Sequence, residues 1–157
     1  RGNQMIRKRL YLPTLLLCLF VALSAGFAGN AFQHDPASTQ SEISKLQFAA
    51  SQHEIISILI EEGDWNQAVA EYYKILDLGL GIEYEGSLVE EAWQITERLL
   101  EAGQYDFCHQ IIDSTLETCK LPDNRFTLLI LKGKAFKQEG KIKAALDVFR
   151  EAQAIQE

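Results

Sequence analysis

The sequence predicts an all-α protein of six helices arranged as three helical hairpins. Three observations lead to this prediction. Apolar residues recur at steps of three and four along residues 42–157, which is the period of an amphipathic helix. Strand signals are nearly missing, because β-branched runs are few and apolar and polar residues do not alternate. Glycines at positions 63, 103 and 140 interrupt the helical pattern at spacings of 40 and 37 residues.

Residues 1–31 have the three-part pattern of a secretory signal and are expected to lie outside the fold. A basic segment at residues 7–9 precedes a dense apolar run at residues 15–23, and small residues follow. Met5 is the only methionine and is the expected start, so the residues before it are extra. Cleavage is expected after Ala31, with Ala25 and Ala28 as alternative positions.

The competing interpretation is a signal anchor that stays in the membrane. Residues 10–28 approach the ~20 residues that a membrane-spanning helix needs. A cleaved signal predicts a periplasmic or extracellular protein, and an anchor predicts tethering to the inner membrane. In both cases the body of the chain is exported. A polar linker, residues 32–41, is then expected to lead to the helical domain, residues 42–157.

The first hairpin, about residues 42–79, is expected to contain two helices separated at Gly63. Asp64 follows the glycine and is expected to cap the second helix. That helix carries Ala68 and, four residues further on, Tyr72.

The second hairpin, about residues 87–120, follows a glycine-rich loop at residues 79–86. The loop lacks the spacing of a phosphate-binding motif, so we expect a connecting turn. Ser87 is expected to cap the first helix of this hairpin. Gly103 marks its turn, and Cys108 takes the place of the small residue in its second helix.

The third hairpin, about residues 124–156, has the clearest pattern. Gly133 and Phe136 share a face of its first helix, and Gly140 provides the turn. An interior glycine costs roughly 1 kcal/mol relative to alanine. We therefore expect Gly133 to admit the second helix closely, with Ala145 as its counterpart. The apolar stripe of the second helix is expected to consist of Ile142, Ala145, Leu146, Phe149 and Ala152.

These positions resemble the tetratricopeptide repeat (TPR), which has a small residue and an aromatic in helix A, a turn glycine, and alanine-x3-aromatic in helix B. The third hairpin matches best, the first less well and the middle one least. The resemblance implies an α-solenoid of about three TPR-like hairpins. The residues expected to pack the repeats are Gly63, Ala68, Tyr72, Gly103, Cys108, Gly133, Phe136, Gly140, Ala145, Phe149 and Ala152.

The resemblance also implies a groove that is lined by the first helix of each hairpin and binds a partner protein. Trp93, with Glu90 and Glu97 on either side, is expected either to anchor a partner or to pack between repeats. A carboxylate clamp is not expected, because glutamates and a histidine occupy the corresponding places in the first two hairpins. The expected groove residues are His53, Ser57, Glu90, Trp93, Glu97, Ile130, Lys134 and Lys137.

The implied function is a non-catalytic scaffold or adaptor on the extracytoplasmic side of a bacterial envelope. The alternative is an accessory subunit built permanently into a larger envelope or membrane-associated complex. Val148 and Ile155 on the last helix are expected to be covered by a partner or another copy, because a terminal repeat needs a polar outer face. Self-association through the C-terminal helix is thus an open expectation.

Charge is distributed unevenly along the chain, which has a net charge of −7. From Asp35 to Glu117 there are 17 acidic and three basic residues, whereas from Lys120 onward there are eight basic and five acidic residues. Such an asymmetry steers oppositely charged partners. The overall sign and the expected export argue against nucleic acid as a partner.

Neither catalysis nor a cofactor or metal is expected. His34, His53 and His109 share no metal-ligand spacing, and no serine or cysteine stands in a nucleophile motif. Cys108 and Cys119 fall in one predicted helix, about 16 Å apart at ~1.5 Å per residue. This separation exceeds the ~7 Å reach of a disulfide. Two buried thiols are therefore expected.

Overall fold

The structure, a computed structural model, describes residues 36–156. The expected signal, its start at Met5 and the first part of the linker lie outside the described residues. Within the described part there are six α-helices, one short 3-10 helix and no strand, so the predicted all-α class is confirmed. The helices are α1 Pro36–Glu62, α2 Trp65–Leu76, α3 Glu85–Glu101, α4 Tyr105–Thr118, α5 Pro122–Gln138 and α6 Ile142–Ala154, with the 3-10 helix at Ile82–Tyr84.

Two helix starts differ from the prediction. α1 begins at Pro36, inside the expected linker. Proline is favoured in the first turn of a helix, where its missing N–H has no intrahelical partner to lose. α3 begins at Glu85, so Ser87 lies inside the helix and does not cap it. The Glu85 carboxylate accepts backbone hydrogen bonds from Lys120 and Leu121, which fixes the chain at this point.

The turns within the three hairpins repeat one hydrogen-bond pattern. The N–H of Gly63 donates to the carbonyl three residues earlier at 3.2 Å, and the next N–H donates to the carbonyl five residues before it at 2.9 Å. The same two bonds recur at Gly103 and at Gly140. The three glycines have φ of +80°, +70° and +86°, a region that glycine adopts readily because it has no Cβ. This is the Schellman end of a helix, and the middle hairpin has it although its sequence pattern is the weakest.

The residue after each turn glycine also has a common conformation. Its φ and ψ are −86° and 69° at Asp64, −90° and 61° at Gln104, and −82° and 62° at Lys141. Asp64 accepts a hydrogen bond from the Gln67 N–H at 3.2 Å, so its predicted capping role is confirmed. The other two residues make no side-chain cap. The three turns therefore share a backbone conformation and not a side-chain cap.

Consecutive helices pack in pairs, α1 with α2, α3 with α4 and α5 with α6. The pairs then contact one another in chain order. α1 contacts α3, α3 contacts α5, α2 contacts α4 and α4 contacts α5. Each hairpin therefore lies against the next one.

Small residues at equivalent places allow each pair to approach. Ala68, Cys108 and Ala145 lie five residues after their turn glycines, and each is at most 2% exposed. The main core extends from α1 to α5, and a smaller cluster joins α5 to α6. Fully buried members of the main core include Ile56, Tyr72, Leu99, Ile111, Ile112, Leu128 and Leu131.

Gly133 has the close contact that was predicted, but with a different residue. A Cβ placed on Gly133 would overlap the aromatic ring of Phe149, whose atoms are the nearest to it. The expected counterpart, Ala145, is also buried, but the three atoms nearest to that Cβ all belong to Phe149. The glycine thus makes room for an aromatic ring of α6.

The buried side of α6 is rotated relative to the prediction. Val148 is 9% exposed and Ile155 packs against the same cluster, so the expectation that these two residues need an external cover is wrong. Ile142 and Leu146 were expected in the buried stripe but are 55% and 50% exposed. Because Phe149 lies over Gly133 of α5, α6 buries Ala145, Val148 and Ala152 and leaves Ile142 and Leu146 exposed.

Candidate partner-binding surface

The first helices of the hairpins, α1, α3 and α5, lie side by side and carry the expected groove residues. At the junction of α3 and α5, the Nε1–H of Trp93 donates to Oε1 of Glu97 at 2.8 Å. Nζ of Lys134 lies 4.2 Å from the centroid of the indole ring. A cation–π contact of this kind contributes about 0.5–1 kcal/mol at an exposed site. We call these three residues the Trp93 cluster.

Trp93 is half-buried and packs against the main core, whereas Glu97 and Lys134 are exposed. The indole is thus fixed from three sides by the core, a carboxylate and an ammonium group. Packing between hairpins, one of the two predicted roles of Trp93, is present.

At the junction of α1 and α3, Nδ1 of His53 lies 2.8 Å from both carboxylate oxygens of Glu91. Nη2 of Arg98 donates to the carbonyl oxygen of Ser57 at 3.1 Å and to Oε1 of Glu61 at 3.4 Å. The structure therefore ties His53 and Ser57 to α3 through two residues that sequence reasoning missed. Glu91 and Arg98 are seven residues apart and so share one side of α3, which is the signal that could have identified them.

The remaining expected groove residues have other surroundings. Glu90 is exposed and accepts a hydrogen bond from Nε2 of Gln94 at 2.9 Å. Ile130 is half-buried and packs against the cluster between α5 and α6. Lys137 is exposed. The structure thus brings together the Trp93 cluster, and separately the α1–α3 contacts.

The electrostatic character of this surface changes from helix to helix. Exposed acidic residues dominate α1 and α3, whereas α5 presents exposed lysines. The acidic residues are Glu54, Glu90, Glu97 and Glu101, and the lysines are Lys134 and Lys137. A partner would therefore meet negative potential along two helices and positive potential along the third.

The hydrogen bond to Glu91 raises the pKa of His53 above its ordinary value of 6.5. Burial acts in the opposite direction. The charges of Glu91 and Glu54 add to the increase and that of Arg98 reduces it. Because the folded-state pKa is raised, protonated His53 stabilises the fold fully below pH 6.5, and this contribution is lost as pH rises through the raised value.

We expect the substitution His53→Gln to destabilise the protein by about 0.5–1.5 kcal/mol at pH 5.5 and by much less at pH 9. Urea unfolding at the two pH values would measure this difference, and an NMR titration of the imidazole would give its pKa. Glu91→Gln should reproduce the same pH dependence, since it removes the partner charge. A destabilisation by His53→Gln that is equal at both pH values would contradict the ion pair.

Cys108 and Cys119 are both buried and form no disulfide, as expected. Burial raises the pKa of Cys108 to about 12 and that of Cys119 to about 11. At neutral pH both are therefore thiols, which are poor nucleophiles and poor metal ligands. Their role in the described structure is packing.

Within residues 36–156, no three His, Cys, Asp or Glu side chains are grouped so that they could hold a metal ion. None of the helices in this part combines the length and apolar character needed to cross a bilayer.

His109 is half-buried on α4, and its Nε2 lies 3.1 Å from Oε2 of Glu139. Its ring centroid is 4.2 Å from that of Phe136. It therefore belongs to the contact between the second and third hairpins.

Comparison with protein-family models, with curated proteins and with solved structures found no match to this chain. The TPR resemblance thus depends on the residue pattern and on the repeated turns.

Proposed function

We propose that this chain is a non-catalytic interaction scaffold, in which three TPR-like hairpins stack into a short α-solenoid and bind a partner protein on the surface of α1, α3 and α5. The Trp93 cluster is the observation that carries the proposal. It places a large aromatic side chain at a helix junction on that surface, with an exposed acid and an exposed base beside it.

Two features support the repeat arrangement. The turns at Gly63, Gly103 and Gly140 share both their hydrogen bonds and the conformation of the following residue. The helix contacts then connect equivalent helices of successive hairpins, first helix to first helix and, for the first two hairpins, second helix to second helix. A chain of nearest-neighbour contacts between similar units is typical of a solenoid.

The fixed geometry of Trp93 suits it to binding. Tryptophan is enriched among residues that dominate binding energy, and a side chain already ordered by Glu97 and Lys134 loses little conformational entropy when a partner docks. The charges on either side favour an elongated partner segment with basic residues over α3 and an acidic residue near α5.

We expect the substitution Trp93→Ala to abolish partner capture, or to weaken it at least about 10-fold. A photo-crosslinking amino acid would be placed at Lys137, which is exposed beside the Trp93 cluster, in the chain expressed in its native cells. A matched probe at Glu117, exposed on α4, serves as the control. The proposal predicts a crosslinked protein from position 137 that is missing from position 117 and is lost with Trp93→Ala.

The conservative variant Trp93→Phe should keep most of the capture, because it retains an aromatic ring under the lysine and loses only the bond to Glu97. Thermal unfolding of both variants would show that the fold is intact. Equal crosslinking from positions 137 and 117, or capture that is unchanged by Trp93→Ala, would refute binding at this surface.

The alternative function, an accessory subunit built into a larger complex, is favoured by exposed apolar residues on the first and last helices. Export of the chain is likewise a proposal, supported by the residue pattern of positions 1–31. Sequencing the amino terminus of the mature protein distinguishes cleavage near Ala31 from retention as an anchor.

A further inference from the structure

The first and last helices each leave an apolar face exposed. On α1 this face consists of Phe48, Ile55 and Ile58, which are 40%, 40% and 55% exposed. We call it the leading face. On α6 it consists of Ile142 and Leu146, which are 55% and 50% exposed. We call it the trailing face. Repeat proteins normally need a polar outer surface at their ends.

The residues of α3 that correspond to the leading face are either buried or in contact with the preceding hairpin. Counted back from the turn glycine, the leading-face positions fall in α3 on Leu88, Ile95 and Arg98. Leu88 and Ile95 are each only 4% exposed. Arg98 donates to the carbonyl oxygen of Ser57 on α1. In α3, two of these positions are therefore buried in the core and the third contacts the hairpin before it.

In α5, two of the three corresponding positions contact the preceding hairpin. The corresponding positions are Arg125, Lys132 and Ala135. Nη1 of Arg125 donates to the carbonyl oxygen of Leu116 on α4 at 2.7 Å. Nζ of Lys132 lies 2.7 Å from Oδ1 of Asp113 on α4. Both side chains thus contact the preceding hairpin.

The trailing-face positions of α4 contact the following hairpin, and one of those in α2 is buried. In α4 they correspond to Tyr105 and His109. The hydroxyl of Tyr105 donates to the carbonyl oxygen of Gln138 on α5 at 3.3 Å, and His109 contacts Glu139 and Phe136. In α2 the equivalents are Trp65 and Val69, of which Val69 is 4% exposed.

We propose that a second copy of this chain docks head to tail, so that the trailing face of one copy and the leading face of the next are buried in one contact. Both exposed faces belong to surfaces that, in the equivalent helices, take part in the contact between successive hairpins. A second copy so placed would continue the stack. The inference rests on the proposed repeat arrangement, but not on partner binding by the Trp93 cluster.

Charge favours a second copy as the occupant. The first hairpin, residues 36–76, carries six acidic and two basic residues, whereas the third, residues 122–154, carries seven basic and four acidic ones. Beside the leading face stand the exposed Glu54 and Glu62, and beside the trailing face the exposed Lys143 and Arg150. Head-to-tail docking brings the acidic end onto the basic end, whereas head-to-head docking would oppose like charges.

A head-to-tail contact has a distinctive consequence, because each copy offers one face of each kind. Such a heterologous contact grows beyond the dimer unless a ring closes. The substitution Ile58→Glu blocks the leading face, and Leu146→Glu blocks the trailing face. Both residues are at least half exposed, so these changes leave the core intact. Each variant retains one working face.

The test is light scattering on the full chain after gel filtration, over a series of concentrations. Wild type is expected to show a mass that rises with concentration past the dimer. Each variant alone is expected to be monomeric, and an equimolar mixture of the two to form a dimer and no larger species. Ile82→Glu, which changes an isoleucine that is 52% exposed outside both faces, should behave as wild type.

Several outcomes would overturn the proposal. Wild type that stays monomeric up to about 1 mM would mean that the faces are covered otherwise, by a different protein or by another part of the chain. Assembly that persists in either variant alone would place the contact elsewhere, residues 1–35 included. A mixture that fails to dimerise would exclude head-to-tail docking. The pair Ile55→Glu and Ile142→Glu repeats the test if a first variant misfolds, and none of these results alters the Trp93 crosslinking.

Discussion

The substitution Tyr72→Ala is expected to lower the free energy of unfolding by about 3–5 kcal/mol, measured by urea denaturation at neutral pH. Tyr72 is 0% exposed and is the largest of the fully buried side chains. It lies on α2, and its hydroxyl reaches Thr115 on α4, so it joins the first hairpin to the second. Truncation would remove both the core volume and this connection.

The direction of the hydrogen bond follows from the surroundings of Thr115. The Thr115 hydroxyl donates to the carbonyl oxygen of Ile111 at 2.6 Å, so the Tyr72 hydroxyl, 2.6 Å away, is the donor to Thr115. Burial raises the pKa of Tyr72, which keeps the phenol protonated. Tyr72→Phe therefore removes one donor without leaving an unpaired charge and should cost about 1 kcal/mol.

A double-mutant cycle separates this bond from the packing. Thr115→Val leaves the Tyr72 hydroxyl buried without an acceptor and should cost about 1–3 kcal/mol. The double variant with Tyr72→Phe should cost clearly less than the sum of the two, because the bond is lost only once. Tyr73→Phe, half-buried on the same helix, should change stability by no more than about 0.5 kcal/mol. Additive costs in the cycle would show that the bond contributes nothing.

The sequence predicted the helices and the hairpin turns correctly because these depend on local signals. The turn glycines require positive φ, and the apolar period of the helices is read directly from the chain. The starts of α1 and α3 were predicted less well. For α3 the reason is tertiary, since Glu85 is held by the N–H groups of residues more than thirty positions away.

Which side of each helix is buried was harder to predict than the presence of the helix. On α6, Leu146 and Val148 lie on opposite flanks of Ala145, because two positions along a helix correspond to a rotation of about 200°. Either residue would complete a plausible stripe with the alanines. The contact of Phe149 with Gly133 decides between them, and it involves a second helix. The amphipathic period alone therefore predicted a buried stripe that includes the exposed Leu146 and omits the buried Val148.

The candidate surface was predicted only in part, because some of its contacts also depend on a second helix. The family resemblance directed attention to one side of the first helices, which includes Trp93, Glu97 and Lys134. It gave no reason to consider Glu91 or Arg98, which stabilise the α1–α3 junction from the adjoining side of α3. Their roles depend on contacts with His53 and Ser57 on another helix.

The substitution Glu85→Ala is expected to destabilise the protein by about 1–3 kcal/mol. Glu85 is 4% exposed at the start of α3. Its carboxylate accepts hydrogen bonds from the N–H groups of Lys120 and Leu121, both at 2.9 Å, and from Nδ2 of Asn124 at 3.3 Å. These three donors belong to the connection between α4 and α5 and to the first turn of α5. Removal of the carboxylate frees that connection from α3.

The pH dependence of this effect distinguishes a carboxylate clamp from simple packing. Burial raises the pKa of Glu85, but the three hydrogen bonds together outweigh burial and hold the pKa below its ordinary value of 4.5. Because the folded-state pKa is lowered, the ionised group contributes its full stability above pH 4.5. That contribution is lost as pH falls through the folded-state pKa.

Comparison with Glu85→Gln, which resembles the protonated acid in shape, makes the test specific. The difference in stability between wild type and Glu85→Gln should be constant from pH 6 to pH 8 and should shrink below pH 4.5. A difference that does not change with pH would mean that the side chain acts by its shape. Because the Glu85 carboxylate connects α3 to the start of α5, Glu85→Ala should also loosen α5 against α3. The contact between Lys134 and Trp93 would then weaken, and crosslinking from position 137 would fall although no residue of the binding surface had been changed.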